Sequence, residues 1–468
     1  MSIKAIRAAV LNGGRVTGPP PHQVGILESP DCENIDPSDF RGASTRPGSS
    51  QFGSNFAAAS GGSSNGLFHW TRNAGTAFML AAHSGTLYQV YSNSWGSLLG
   101  GITAGGMVRF GGLNNQLVVA AEGLTPRISS DASGFGTFSD ANAPTLAKYA
   151  AVWKSKMWLA GHSTTPQKIW FSASNDPTDY TTANNAGSIT VESGDGDVIN
   201  GLLAMQNVLY VFKRKVVYGI FGSSPFDFEV IRLREVGLSS EYGYAAGDGI
   251  AFFVSDDGIY SLSGGNVGIV TIPKAYQDFV DLTDKTKIAL GVSGAKLFIT
   301  DYSNASPYSL VLDYKRGVWS KYPTQPFTPY AKSRDSKIYA VTNASTMQVW
   351  QLDTGSGGSI DCKWTTPDMD FEDPSAVKVL QQYQAHMKPD TATTTLTVRH
   401  YLNGASTGSD NTLTFGTVGS HDVQRVHGQT LKGRFLRLRF SWTGVKTLYG
   451  FTIFADVRQE GVPGRDDD

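Results

Sequence analysis

The feature that most constrains this chain is an internal repeat, because a period near 40 residues selects a small set of architectures. A short apolar run recurs seven times: Phe78-Met-Leu-Ala-Ala-His83, Leu117-Val-Val-Ala-Ala121, Met157-Trp-Leu-Ala-Gly-His162, Leu209-Tyr-Val-Phe212, Ile250-Ala-Phe-Phe-Val254, Leu297-Phe-Ile-Thr300 and Ile338-Tyr-Ala-Val341. Their starts are separated by 39, 40, 52, 41, 47 and 41 residues. A second run follows each in step, at 87–90, 126–128, 169–171, 217–221, 259–262, 308–312 and 347–352. Gly or Asp-Gly turns such as Ser84-Gly85 and Asp256-Asp257-Gly258 punctuate the units, as tight hairpins require. Units of this length, each holding about four short strands, predict an all-β chain built on a β-propeller of about seven blades over 66–357. The two longer steps leave room for insertions. The Trp-Asp dipeptide of the best-known propeller repeat is absent.

The remainder of the chain is divided by composition. At 468 residues it is too long for one ordinary core, so two domains plus arms are expected. Asp353-Thr-Gly-Ser-Gly-Gly-Ser359 marks a boundary. Beyond it, alternation in Phe435-Leu-Arg-Leu-Arg-Phe440 puts Leu436, Leu438 and Phe440 on one face. This predicts a small C-terminal antiparallel β-sandwich over 359–457, followed by a disordered acidic tail at 458–468. Residues 1–65 are poor in periodic apolar positions and rich in Gly, Pro, Ser and Asn. They predict an extended N-terminal arm that wraps a neighbour or donates a strand. One helix is expected, over 273–282, with Ala275, Phe279 and Leu282 on one side.

Charge and motifs narrow the function. The net charge of −1, from 39 basic and 40 acidic residues, lacks the basic excess of proteins that live by gripping nucleic acid. No apolar run is long enough for a transmembrane helix, so membrane insertion by this chain is not expected, and the first ten residues do not form a secretory signal. Cys32 and Cys362 read as two reduced thiols. No phosphate-binding loop and no H-E-x-x-H occurs; Gly61, Gly62 and Gly66 read as a flexible segment. His83 and His162 hold matching places in different repeats and read as hydrogen-bonded blade residues. Glu192, Asp195 and Asp197 offer the oxygen density that calcium wants, without the spacing of an EF-hand, and read as a solvated turn. Ser255-Asp-Asp-Gly-Ile-Tyr260 is similar to the Asp-box turns of sialidase-type propellers but differs in spacing. Gly404-Ala-Ser-Thr-Gly408 matches a nucleophile elbow on paper, yet strand follows where a helix is required. No catalytic residue, cofactor or metal site is therefore expected. Candidate contacts are basic: Lys213, Arg214 and Lys215 after a blade strand, and Arg434, Arg437 and Arg439 on the sandwich. A propeller that binds or cleaves glycans in host recognition is the competing reading, drawing on Trp70, Trp95, Trp153, Trp158 and Trp170 as stacking platforms.

Three passages carry a family resemblance. Cys32-Glu-Asn34 leads through Gly42 to Arg46-Pro-Gly48. Lys168-Ile-Trp-Phe-Ser172 runs into Asn175-Asp-Pro177 and Tyr180. Leu209-Tyr-Val-Phe212 and Val217-Tyr-Gly-Ile220 precede Gly237-Leu238 and Asp257-Gly-Ile-Tyr260. They resemble the tail nozzle proteins of short-tailed bacteriophages, also called packaged-DNA stabilisation proteins, over roughly half the chain. The resemblance implies a structural propeller subunit, not an enzyme, in a homo-oligomeric ring of six copies. Such a ring lies below the portal and adaptor rings, meets tail fibres or the tail tip, retains the packaged genome and touches double-stranded DNA transiently during ejection. It implies location in the virion tail after synthesis in the host bacterial cytoplasm. Arg46 joins the candidate interface or channel contacts on this ground.

Overall fold

The structure is a computed structural model that describes residues 2–57, 64–270, 274–282, 284–303, 308–323, 327–342, 346–355, 359–389, 394–405, 407–416, 421–427 and 431–458. Seven antiparallel blades of four strands follow one another along the chain, six as separate sheets and one, blade 6, as part of a larger sheet. Blade 1 runs from Ser64–Thr71 to Trp95–Leu99, blade 2 from Val108–Leu113 to Gly136–Thr137, and blade 3 from Tyr149–Trp153 to Gly187–Thr190. Blade 4 runs from Ile199–Ala204 to Glu229–Arg234, blade 5 from Tyr244–Gly247 to Asn266–Ile269, and blade 6 from Ile288–Ser293 to Val318–Pro323. Blade 7 takes Phe327–Lys332, Ile338–Thr342 and Thr346–Leu352 from this end of the chain and Ser49–Ala57 as its outermost strand. Each innermost strand touches the next, and that of blade 7 touches that of blade 1, so the ring is closed. The molecule is a seven-bladed β-propeller with an attached β-sandwich.

The recurring apolar runs are the second strands of the blades, and the runs that follow them are the third. A second strand has a neighbouring blade against each face, so it loses alternation and becomes apolar throughout. Lys156–Ala160 and Leu209–Lys213 are buried at every position, whereas the rim strand Glu229–Arg234 is exposed or half-exposed throughout. The 52-residue step holds the Thr182–Asn184 turn and the acidic turn at 192–197. The 47-residue step holds the predicted helix, observed as Tyr276–Val280, with Ala275, Phe279 and Leu282 buried between blades 5 and 6.

The N-terminal segment is not the extended arm that its composition predicts. Ser2–Ala8 pairs with Lys446–Arg458, Ala43–Ser44 pairs with the same long strand, and Ser49–Ala57 completes blade 7. Asp31–Glu33 lies between Val318–Pro323 of blade 6 and Asp361–Thr365. These strands are tied by backbone hydrogen bonds and by single anchors such as Leu11, Val16, Cys32 and Ile35, all buried, which leave no periodic trace. Gly14 illustrates the fit. Its φ is 72°, and a Cβ there would lie 2.4 Å from Val318 Cγ1 and 2.6 Å from the Trp319 carbonyl oxygen, so glycine alone suits the position.

The sandwich has one sheet in the order Ser2–Ala8, Lys446–Arg458, Val377–Pro389, Asp422–His427. The other runs Asp31–Glu33, Asp361–Thr365, Leu436–Thr443, Thr394–Leu402, Ser409–Phe415 and is continuous with blade 6, making nine strands. Trp364, Tyr383, Phe440 and Phe451 fill the space between the two sheets. The boundary at 353–359 is thus a break in composition but not in the hydrogen-bonded sheet. Arg458 closes the last strand; the acidic tail beyond it lies outside the described residues, as do Gly61, Gly62 and Ser406.

Candidate functional site

Most of the basic residues nominated by the sequence are taken up inside the molecule. Lys213 is fully buried: its ammonium donates to the Glu192 carbonyl at 2.9 Å and to Asp195 Oδ2 at 2.6 Å. The acidic turn therefore already holds a cation, the chain's own, and Lys213 keeps the Asp195 carboxyl below its ordinary range against the opposing effect of burial. Arg214 bridges to Ser239 Oγ at 3.1 Å and Asp256 Oδ1 at 2.9 Å. Lys215 is exposed, and its backbone N–H donates to Asp197 Oδ2. Arg437 makes a two-pronged pair with Asp368 at 2.7 and 2.8 Å, and Arg439 lies over the Tyr401 ring with Asp31 at 3.9 Å. Arg434 is exposed at the start of its strand, where its backbone N–H donates to Asn403 Oδ1. Arg46 stacks on Tyr322 at 4.9 Å and donates to Asn34 Oδ1 at 2.8 Å, and burial lowers its pKa. It is a joint between blade 6 and the N-terminal segment. No common surface gathers these seven residues.

The tryptophans of the glycan reading are used for packing. Trp70, Trp153 and Trp158 are buried, and Trp95 stacks on Phe56 while its Nε1–H donates to the Ser54 carbonyl. His83 and His162 hydrogen-bond to Ser84 and to Thr145 and Thr164, in line with their reading as blade residues. Cys32 and Cys362 are buried free thiols, and burial pushes both up to about 12. Among the described residues, no group of three or more His, Cys, Asp or Glu is placed to hold a metal ion.

A different cluster lies across the propeller axis. Glu241, just before the innermost strand of blade 5, reaches to Lys148 and Tyr149 of blade 3, and its carbonyl accepts from Arg109 of blade 2. Lys148 also pairs with Glu122 at 3.1 Å. Burial acts to lower the Lys148 pKa, but the two carboxylates outweigh it and hold it above the ordinary value. Arg109 lies over the rings of Tyr242 and Tyr244 at 5.4 and 4.8 Å, and the Tyr242 hydroxyl donates to the Asn65 carbonyl of blade 1 at 2.8 Å. Burial pushes Tyr149, Tyr242 and Tyr244 up, so these phenols stay neutral and act as hydrogen-bonding walls. The cluster joins blades 1, 2, 3 and 5 across the centre. On one side it floors a cavity of about 300 Å³ lined by Asn65, Met107, Glu241, Tyr242, Lys287 and Tyr302. On the other side a recess of about 480 Å³ opens among Trp153, Lys154, Met205 and Asp248. Chemically the arrangement is a polar plug. Its carboxylates are paired with Lys148, and Arg109 and Tyr242 each donate to a backbone carbonyl of another blade.

Sequence reasoning missed this plug because Glu241 stands 93 residues from Lys148 and 132 from Arg109. A signal was present. Arg109, Lys148 and Glu241 each sit at or beside the start of an innermost strand, where charge is unexpected in a closed ring. Aligning the first strands of the repeats exposes it.

No protein-family model matches the chain, and no curated protein matches it. Solved structures similar to it are propellers and related domains. The WD40 domain of Pan2 from Neurospora crassa aligns over 65% of this chain and 95% of its own at 10% identity, with a TM-score of 0.44. BamB from Moraxella catarrhalis aligns over 66% and 98% at 13% identity, with a TM-score of 0.42. The AfRom2 CNH domain aligns over 66% and 98% at 11% identity, with a TM-score of 0.41.

Proposed function

We propose that this chain is a structural subunit of the tail of a short-tailed bacteriophage, a nozzle or hub ring that closes the DNA channel, retains the packaged genome and serves as its conduit on ejection. The observation that carries this reading is where the nozzle-like passages fall. Cys32-Glu-Asn34 and Arg46-Pro-Gly48 form the joint at which the sandwich is sewn to blade 6, with Cys32 buried and Arg46 bonded to Asn34 and stacked on Tyr322. In the Asn175-Asp-Pro177 turn, Asn175 takes φ 59°, its N–H donates to the Ser155 carbonyl of blade 3, and its own carbonyl accepts from Asn114 of blade 2. Two of the three passages that resemble the family therefore lie at joints, one between sandwich and propeller and one between neighbouring blades.

The axial plug adds a constraint. A propeller whose centre is bridged by Glu241, Lys148 and Arg109 is not itself a conduit, so in this reading DNA runs along the axis of a ring of six copies, past their flanks. The near-neutral net charge suits a wall along which DNA slides without tight binding. Portal or adaptor proteins above and tail fibres or tail tip below are the neighbours this role requires.

The test is the mass of the purified chain in solution, with negative-stain images, alone and after mixing with virion tail components. Rings, or assembly only on the partner complex, are the expected outcome. A chain that stays monomeric with those partners and is missing from virions overturns the reading.

A further inference from the structure

The outer face of the sandwich carries positive charge that the fold leaves unpaired. Arg7, Thr452, Gln384 and Arg425 form one row across four neighbouring strands of the first sheet. The next row on the same face contains Gly450, His386 and Val423, since residues two apart on a strand share a face. Between the rows, Ala385 and Phe451 point the other way into the core. His386 Nδ1 lies 3.3 Å from His421 Nε2 with the rings stacked, and Tyr449 stands edge-on to His421 at 5.6 Å. These groups surround a recess of about 200 Å³ lined by Arg7, His386, His421, Tyr449 and the backbone around Ala8 and Gly450.

Two features separate this recess from the other basic clusters. Arg7 and Arg425 are exposed, and among the described residues neither side chain has a hydrogen bond or ion pair. Among the described residues, no carboxylate lines the recess. The nearest in sequence, Asp422, sits opposite Met387, which faces the core, and its oxygens accept from the Val423 N–H and the Gln424 amide. Lys388 follows two residues after His386 on the same strand and adds a further positive charge beside it. Burial and three positive neighbours, His421, Arg7 and Arg425, hold the His386 pKa below its ordinary value.

We propose that this recess is a phosphate-binding site. Arg7 and the imidazole pair line the recess, and Arg425 stands on the same face close enough to act on His386, so cationic donors from separate strands converge on one small space suited to a compact oxyanion. Bound phosphate supplies the missing negative charge and favours the protonated form of His386, so phosphate binding and His386 protonation are linked. The groups that set this dependence are His386, His421, Arg7, Arg425, Lys388 and Tyr449. The chemistry is the same whether the phosphate is a free anion or part of a DNA backbone, and the site does not depend on the tail reading.

The test uses the full chain with ring-labelled histidine, observed by NMR while inorganic phosphate replaces chloride at constant ionic strength. The expected result is movement of the His386 and His421 signals and a rise in the apparent pKa of His386 of about one pH unit or more, the size an adjacent opposite charge produces. Arg7→Gln with Arg425→Gln, both on exposed side chains, abolishes that response while the melting temperature is unchanged. No response in the unmodified chain, or an equal response in the double variant, overturns the proposal. A short DNA duplex is the second probe. Response at lower phosphate-group concentration than with the free ion assigns the DNA backbone as the source, and response to the free ion alone assigns inorganic or small-molecule phosphate.

Discussion

Single residues in this molecule act mainly by holding the chain's N-terminal segment to the two domains. Arg15 is buried and donates to both oxygens of Asp278 at 2.9 to 3.1 Å and to Asp31 Oδ1 at 3.1 Å, while Thr17 adds a bond to Asp278 at 2.8 Å. Asp278→Ala takes away three of the bonds to buried Arg15 and leaves Asp31 as its ion-pair partner, so the expected loss in urea denaturation is about 2–3 kcal/mol, below the about 3–5 kcal/mol of a buried charge left with no partner. A loss of less than about 1 kcal/mol would class the contact with ordinary surface pairs. Asp31 is the hub beside it, facing Arg15, Lys363 and Arg439. Burial acts to raise its pKa, but Lys363 and Arg15 outweigh this and hold it below the ordinary carboxylate value. A depressed folded pKa means that this carboxylate stabilises the fold above the unfolded value near about 3.9 and that the stabilisation is lost as pH falls through the folded pKa. Asp353 has the reverse sign, because burial raises its pKa despite Lys296. In a series of melting temperatures against pH, Asp31→Asn is therefore expected to flatten the acid limb below about pH 4. An unchanged limb would place the acid sensitivity elsewhere.

Among the elements, the strand Ser49–Ala57 closes the ring by two kinds of contact. Its backbone pairs with Thr346–Leu352 of blade 7, while Phe56 packs on Trp95 at 5.0 Å, Tyr88 at 4.9 Å and His83 at 5.8 Å, all in blade 1. Phe56→Ala is expected to lose about 2 kcal/mol, less than a fully buried phenylalanine because the ring is only half-buried. Phe226, on a blade 4 hairpin and 87% exposed, is the matched control, and Phe226→Ser should stay within about 0.5 kcal/mol of the parent. Equal losses for the two would mean that Phe56 does not clamp the ring. This strand also marks where the sequence stops being legible. The second strands of the blades stand out because burial on two faces writes a largely apolar run, as in Lys156–Ala160, and the third strands are found by their place one hairpin later. Ser49–Ala57 writes none, since its hold is backbone pairing and a few aromatic contacts. The same limit hid the sites. Lys213 reads as the start of a basic surface run, but it ends a strand covered on both faces, and its partner Asp195 lies 18 residues upstream. The plug at Glu241 and the row from Arg7 to Arg425 are assembled from distant strands, so no local motif announces them.

For the whole molecule, the decisive fact is that propeller and sandwich share a sheet. Asp31–Glu33 is hydrogen-bonded to blade 6 on one edge and to Asp361–Thr365 of the sandwich on the other. Ion pairs reinforce the joint: Lys363 meets Asp31 and Glu33 at about 3 Å, and buried Lys296 holds Asp36 at 3.2 Å and Asp353 at 3.4 Å. The N-terminal segment then passes through both domains, supplying an edge strand to the sandwich and the closing strand to the propeller. Neither domain keeps its own complement of strands if the other unfolds, because the shared segment must let go of both. Calorimetry of the full chain is therefore expected to give one transition whose calorimetric and van't Hoff enthalpies agree, the mark of a single cooperative unit. Two separated transitions would identify the joint as a hinge and would remove the basis for treating the chain as one rigid wedge in a ring. A single transition would mean that force applied to the sandwich reaches the blades through continuous hydrogen bonds. The tail role proposed above requires that property, and a pair of domains on a flexible tether lacks it.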